Sequence, residues 1–144
     1  MAKALQECPS SGLLWSESVW LETRAQRKGK IVDALKKSEN SAQVLITAAR
    51  VFWADRQVEK ARTWFLKAEM ADSDLGDAWA WHYKFETEHG DEARRKELIV
   101  RCTASEPRHG EHWQAVAKDL KNTGKKTGDI LVLVAFSLPS NVVP

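Results

Sequence analysis

Histidine is the residue type in this sequence whose spacing could hold a metal ion. His109 and His112 stand three positions apart, as some zinc ligands do, and His82 and His89 precede them. A zinc site needs further ligands at a recognised spacing, and the sequence offers none. Residues 107–110, with the sequence PRHG, are typical of a turn. We therefore predict no metal site.

Neighbouring carboxylates could carry out acid–base catalysis, and two pairs are close in sequence: Glu17 with Glu22, and Asp72 with Asp74. Glu22 lies at a position that recurs later in the chain, and Asp72 and Asp74 are typical of helix caps. We expect structural roles for these carboxylates and for Glu86, at the position that matches Glu22, in capping or pairing at a helical hairpin.

Two cysteines, Cys8 and Cys102, are the candidate nucleophiles. They are far apart and have no neighbouring ligand pair, which favours buried, unreactive thiols in a reducing compartment. The sequence contains no GxSxG motif, no P-loop and no dinucleotide fingerprint. We therefore predict a protein that is not an enzyme and that needs no cofactor.

Basic residues form three clusters that could contact RNA. The net charge is only +2 and the pI is about 8.6, below the range typical of dedicated nucleic-acid binders. Each cluster has acidic residues nearby, so RNA contact is open but not implied. The clusters are Arg24, Arg27, Lys28 and Lys30; Arg94, Arg95 and Lys96; and Lys118, Lys121, Lys125 and Lys126.

Length and composition indicate a folded protein rich in helices. The 144 residues are 43% hydrophobic and 29% charged, which suits one compact domain or a short repeat array. Seven glycines and four prolines are few, and this favours long helices over many short strands. The longest apolar run, residues 130–136, is too short to span a bilayer, and the first eight residues lack a signal-peptide profile. We expect a soluble intracellular protein without membrane contact.

A tryptophan recurs with the same surroundings along the chain. Trp15, Trp79 and Trp113 each follow a glycine by three positions, and the last two are separated by 34 residues. A fixed period of this length is typical of helical repeats. Trp15 and Trp79 are 64 residues apart, or two repeats of 32, which predicts one diverged repeat between them, with Leu45 in the tryptophan position.

Each repeat is expected to be a hairpin of two helices. Residues spaced four and then three apart lie on one face of the first helix. Glycine then ends this helix in a left-handed conformation, at Gly29, Gly90 and Gly124. The second helix covers about residues 58–70 in one repeat and 92–105 in another, with Leu98, Val100 and Cys102 facing inward. The one-face sets are Trp15, Val19 and Glu22, and Trp79, Tyr83 and Glu86.

A small residue stands at a fixed distance before each large anchor, and this pattern predicts that the hairpins stack on one another. A lone hairpin exposes one apolar face, which the next hairpin covers. Small residues precede each anchor by eleven positions and would let a bulky ring pack closely: Ala4, Ala34, Ala68 and Cys102. We predict an all-α fold, a right-handed superhelical solenoid of helical hairpins. The repeats are expected at residues 10–40, 41–72, 73–107 and 108–136.

The repeat pattern resembles a known class of helical repeat. The first helix has an aromatic anchor, then Val19 or Tyr83, and then an acid at Glu22 or Glu86. This pattern is similar to that of the half-a-tetratricopeptide (HAT) repeat, and the segment KARTWF in the second helix is also similar to it. Leu45, with the residues that follow it, is closer to the tetratricopeptide form.

Longer segments resemble the C-terminal repeats of the pre-mRNA-processing factor 6 family of spliceosomal scaffolds. They include turn and surface residues that packing alone would not dictate. The resemblance implies a nuclear, non-catalytic role in mRNA splicing, as a scaffold that bridges components of the tri-snRNP and binds other spliceosomal proteins. The segments are MAKALQECP, VDALKK, KARTWF, DSDLGDAWAWHYKFE, EPRHGEHW and GDIL.

Both ends depart from the repeat pattern. Residues 1–9 match only the end of a second helix, which predicts a truncated repeat whose exposed apolar surface promotes self-association. Residues 137–144 are expected to form an irregular tail. The alternative function is a tetratricopeptide-type adaptor that holds a peptide tail, such as a chaperone C-terminus. That function needs Lys, Asn and Arg on facing first helices, where this sequence has Trp20, Trp53 and Trp81.

Overall fold

The computed structural model describes residues 12–37 and 41–139, and every regular element in these ranges is a helix. The strand-like pairing found there is one isolated parallel bridge between Leu75 and His109. The prediction of an all-α fold of helical hairpins is confirmed. The truncated helix predicted at residues 1–9, with Ala4 and Cys8, lies outside the described residues, as do residues 140–144. Two compact units divide the chain after Ala71.

The first unit contains four helices in its described residues. They are α1 (Gly12–Leu21), α2 (Arg27–Lys37), α3 (Ala42–Ala54) and α4 (Val58–Ala71). Helix α1 packs against α2 and α3, α2 also packs against α3, and α3 lies along α4. Apolar side chains from three helices form a core: Trp15, Val19, Ile31, Ala34, Val44, Ala48 and Val51.

Helix α3 ends because the chain turns into the left-handed region at Arg56, where φ is 61°. The Arg56 N–H donates to the Trp53 carbonyl at 2.9 Å, and the Gln57 N–H donates to the Phe52 carbonyl at 2.9 Å. This pair of hydrogen bonds is a Schellman motif, which satisfies carbonyls that the helix end leaves without partners. A tight reversal into α4 follows.

The prediction that Gly29 ends the first helix is wrong. Helix α1 ends at Leu21, and Gly29 lies inside α2. The connection between the helices is instead a turn in which the N–H groups of Gln26 and Arg27 both donate to the Thr23 carbonyl. A hydrogen-bonded turn can reverse the chain without glycine when no residue needs a positive φ.

The second unit, from Asp72 onward, contains α5 (Gly76–His89), α6 (Glu92–Ser105), α7 (Glu111–Ala117) and α8 (Thr127–Ser137). A short 3₁₀ helix, Leu120–Asn122, stands between α7 and α8. Helix α5 packs against the other three, and α8 packs against α5, α6 and α7. Helix α8 continues through Ser137, one residue into the predicted tail, and the next residue, Leu138, is buried.

Helix α6 begins and ends as its sequence requires. The Asp91 carboxylate accepts a hydrogen bond of 2.8 Å from the Arg94 N–H, an N-terminal cap. The helix ends where Glu106 adopts a φ of 47°, directly before Pro107. Leu98 and Cys102 are buried as expected, but Val100 is 67% exposed, so its predicted inward orientation is wrong. Leu98 and Cys102 are four residues apart and share one face, whereas Val100 lies on the opposite face.

Of the other two glycines predicted to end first helices, Gly90 follows the end of its helix and Gly124 does not directly follow α7. Gly90 ends α5 in an extended conformation, with φ −100° and ψ −174°, so its left-handed conformation was wrongly predicted. Gly124 has a φ of +82°, the left-handed region that favours glycine, but it follows the 3₁₀ helix rather than α7 directly.

No helix in the described part of the chain is long and apolar enough to cross a membrane.

Candidate functional site

Five of the seven residues predicted as repeat anchors are buried in their units, and two, Tyr83 and Glu22, are only half-buried. The three tryptophans and Leu45 are each less than 10% exposed. Tyr83 is half-buried on α5, and Glu86 is buried. Glu22 is half-buried and lies just beyond the end of α1, where its N–H donates to the Val19 carbonyl. The equivalence of these positions between repeats remains a prediction.

The packing of Trp113 shows why a glycine stands three residues before Trp79. A Cβ atom added to Gly76 would lie only 2.2 Å from Cδ2 of the Trp113 ring. The indole therefore rests directly on the backbone at the start of α5. The sequence led us to expect this kind of close contact at alanine-sized residues such as Cys102. The recurring glycine before each tryptophan was the signal that pointed to Gly76.

Glu86 is held inside the second unit rather than at its surface. Its carboxylate lies 3.4 Å from Nε2 of His82, and both side chains are almost completely buried. A Cβ atom at Gly90 would lie 2.0 Å from the other carboxylate oxygen, so only glycine leaves room for Glu86. This burial supports the structural role predicted for Glu86.

Asp74 joins two turns that are 34 residues apart in sequence. Its carboxylate accepts a hydrogen bond of 3.0 Å from the Arg108 N–H and lies 3.0 Å from Nε2 of His109. Its backbone carbonyl accepts from the N–H groups of both Arg108 and His109. His109 is thus engaged with Asp74, while His112 contributes its backbone N–H to Asp77 at 3.2 Å. The structure brings neither histidine into a metal site.

Asp77 caps a helix to which it does not belong. Asp77 lies in the first turn of α5. Its carboxylate accepts hydrogen bonds from the backbone N–H groups of His112 and Trp113, which lie in the first turn of α7. The hydrogen bond from Trp113 is 2.8 Å long. Burial raises the pKa of this carboxyl, and the two backbone hydrogen bonds act in the opposite direction. Asp77 was not predicted from the sequence. It stands two residues before Trp79, but Leu13 occupies the same position before Trp15, so the acid does not recur in every repeat.

Asp55 plays a comparable part in the first unit. Its carboxylate accepts from Nε of Arg24 at 2.9 Å and lies 3.2 Å from Nζ of Lys28, so it ties the turn after α3 to the start of α2. Burial raises the pKa of Asp55, but the hydrogen bonds and charges of Lys28 and Arg24 outweigh burial and lower it. One of the three predicted basic clusters is therefore partly neutralised by an acid.

Cations lie over half-buried aromatic rings throughout the first unit. The guanidinium carbons of Arg27 and Arg50 lie 5.4 Å and 4.8 Å from the centre of the Trp20 ring. Burial lowers the pKa of Arg50 to about 10, although the charge of Glu17 acts to raise it. These contacts hold the two half-buried arginine side chains in place.

A groove with mostly apolar walls lies among α2, α3 and α4, and we call it the Trp64 groove. Its volume is about 480 Å³. Phe52 stacks on Trp64 beside it, with ring centres 6.1 Å apart and planes inclined by 6°. The groove is lined by Leu35, Leu45, Trp64, Lys67, Met70 and Ala71.

A smaller groove of about 240 Å³ lies between α5 and α8 in the second unit. Phe136 lines it and is 77% exposed, and Tyr83 lies on the facing helix. Lys84 Nζ donates to the Pro139 carbonyl at its edge. Both grooves offer apolar surface on helical hairpins.

Polar side chains in the described residues make structural contacts. Carboxylates such as Asp74 and Glu86 cap helices, join turns or are buried beside other side chains. Within residues 12–37 and 41–139, no group of three or more His, Cys, Asp or Glu side chains could hold a metal ion. Cys102 is buried with no exposed surface.

Sequence comparison relates the chain to one set of curated proteins. Over 112 residues it is 58% identical to pre-mRNA-processing factor 6 of Homo sapiens, covering 78% of this chain and 12% of that protein. The chain resembles a segment of pre-mRNA-processing factor 6. It is also 50% identical over 133 residues to pre-mRNA-splicing factor prp1 of Schizosaccharomyces pombe, covering 92% of this chain and 15% of the relative.

A plant relative extends the same resemblance. Protein STABILIZED1 of Arabidopsis thaliana is 46% identical over 115 residues, covering 80% of this chain and 11% of the relative. The chain thus spans roughly an eighth of the length of these relatives. No protein-family model matches it.

Proposed function

We propose that this chain is a non-catalytic protein–protein scaffold in nuclear pre-mRNA splicing, and that it helps to bridge components of the tri-snRNP. The observation that carries the proposal is the 58% identity with human pre-mRNA-processing factor 6 over 112 residues. The relatives from human and fission yeast are both named for splicing or pre-mRNA processing.

The geometry supports a scaffold because the surface offers docking sites and the polar groups are used internally. Stacked helical hairpins expose long faces to which other proteins bind. Two apolar grooves are open in the described residues, while Asp74, Asp77 and Glu86 stabilise the fold. A scaffold needs such surfaces and no reactive group.

Affinity capture from nuclear extract tests the proposal. The tagged chain is used as bait, with and without ribonuclease, and a helical-repeat protein of similar net charge is the control. Recovery of spliceosomal proteins that resists ribonuclease supports a protein scaffold. Recovery of chaperones without splicing proteins would instead support the tetratricopeptide-type adaptor.

RNA contact is a separate question that salt dependence answers. Binding through phosphates weakens steeply as salt concentration rises, because each contact releases counterions. With a net charge of +2, we expect at most weak binding of a single-stranded RNA at low salt. Tight RNA binding at physiological salt would contradict a function based only on protein contacts.

A further inference from the structure

The Trp64 groove combines apolar walls with unusual exposure. Met70 at its edge is 87% exposed, whereas Leu45 is only 5% exposed and forms a buried part of the lining. Leu35, Trp64 and Ala71 complete the apolar surface. Burial of apolar side chains in such a groove gives the main driving force for docking a peptide.

Two lysines beside this groove are held in place by aromatic rings. Nζ of Lys67 lies 4.5 Å from the centre of Trp64, and Nζ of Lys60 lies 5.8 Å from the centre of Phe52, the ring that stacks on Trp64. Lys28 also lies over Phe52 but is paired with Asp55. Within the described residues, no carboxylate forms an ion pair with Lys60 or Lys67.

The charge of this part of the chain favours an acidic partner. Residues 12–71 contain eleven Lys and Arg against seven Asp and Glu, whereas residues 72–144 contain ten against twelve. Positive potential at a binding surface attracts acidic segments and disfavours basic ones. Lysines already held over rings lose little further side-chain freedom when a carboxylate pairs with them.

A peptide fits this surface better than single-stranded RNA. Nucleic-acid bases bind by stacking on open aromatic faces. Here Trp64 already stacks on Phe52 and is covered by Lys67, so a base would have to displace one of them. The aliphatic walls of Leu35, Met70 and Ala71 carry no hydrogen-bonding side-chain groups for bases but suit large apolar side chains.

We infer that the Trp64 groove docks a segment of a partner protein in which Asp or Glu residues stand next to large apolar residues. The apolar side chains fill the groove, and the carboxylates pair with Lys60 and Lys67. This inference rests on the proposed function and specifies the chemistry of one partner.

Selection from a random peptide library tests this inference while the partner itself is unidentified. The complete chain is immobilised and used to select from displayed random 16-residue peptides, and the selected peptides are synthesised for fluorescence anisotropy. We expect enrichment in Asp and Glu beside Leu, Met or Phe. We also expect about tenfold weaker binding to Lys67→Glu and to Met70→Ser, and weaker binding at high salt.

Lys125→Glu is the matched control, since it makes the same charge change at an exposed lysine of the second unit. Circular dichroism verifies that all variants are folded. Three results would overturn the inference. The selected peptides could lack acidic residues, they could bind Lys67→Glu and Met70→Ser as tightly as the wild type, or the selection could give no binders. An RNA oligonucleotide that competes with the peptides and loses affinity on Lys67→Glu would overturn it in favour of nucleic acid.

Nuclear-extract capture separates this inference from the proposed function. If Lys67→Glu still recovers splicing proteins while the peptide selection fails, the scaffold function stands and the assignment of the Trp64 groove falls. If the wild-type chain recovers no splicing proteins, the scaffold function itself fails.

Discussion

Trp79 contributes both apolar area and a hydrogen bond to the second unit. It is 3% exposed, and its Nε1–H donates to the Ser73 carbonyl at 2.9 Å. We expect Trp79→Ala to lower the free energy of unfolding by about 3–5 kcal/mol, because a large cavity forms. Trp79→Phe keeps much of the apolar area and should cost less. Urea denaturation measures both, and an unchanged midpoint for Trp79→Ala would contradict the packing described.

Asp77 stabilises the start of α7 through hydrogen bonds to two backbone N–H groups. We expect Asp77→Ala to cost about 1–3 kcal/mol, since the N–H groups of His112 and Trp113 lose their acceptor at a buried site. Asp77→Asn keeps one acceptor oxygen and should cost clearly less. Thermal unfolding followed by circular dichroism compares them, and equal destabilisation by both changes would show that hydrogen bonding is not the cause.

At the scale of elements, two of the helical glycines, Gly76 and Gly29, should respond in opposite ways to alanine. A Cβ at Gly76 would overlap the Trp113 ring, so Gly76→Ala should be strongly destabilising. A Cβ at Gly29 meets nothing within 4 Å, and Gly29 lies inside α2. Gly29→Ala should therefore stabilise the protein by about 0.4–1 kcal/mol. Urea denaturation tests the pair, and similar effects at both positions would refute the packing of Trp113 on α5.

The turn between α1 and α2 is tied to the end of α3 by a pH-sensitive contact. The pKa of Asp55 is lower in the folded chain than in the unfolded chain. Ionised Asp55 therefore stabilises the fold at pH values above its unfolded-state pKa. This stabilisation is lost as the pH falls through its folded-state pKa. Arg24 is 76% exposed, so we expect Asp55→Asn to cost less than about 1 kcal/mol at neutral pH. Denaturation at a series of pH values should show the difference disappearing in acid. A difference that persists well below the folded pKa would argue against an ionic contact.

At the scale of the whole molecule, exposed apolar side chains bear on self-association. Exposed apolar side chains promote contacts between copies, and the net charge of +2 gives little repulsion. We expect the mass measured by light scattering to rise above 16.3 kDa as protein concentration increases. A constant monomer mass would contradict the prediction. The exposed large side chains in the described residues are Leu21, Val32, Leu66, Met70, Val100 and Phe136.

The sequence alone was sufficient to predict the all-helical class, the bounds of two helices and part of the core. Helix α6 was predicted at residues 92–105 and occupies those residues, and α4 extends one residue beyond its prediction. Trp79 and Trp113 are buried, as their spacing indicated. Helical periodicity and capping are local properties, so neighbouring residues contain enough information to predict them.

The tertiary structure decided the contacts between segments distant in sequence. Asp77 and Trp113, which share a hydrogen bond, are 36 residues apart in sequence, and Gly76 and Trp113, which pack together, are 37 apart. No local sequence pattern specifies contacts over such separations. The Trp64 groove likewise depends on residues from three helices that meet only after folding. The repeated pattern indicated which tryptophans are buried, but it did not indicate which residues contact them. Their partners were decided by packing, because a side chain's neighbours depend on how the helices pack.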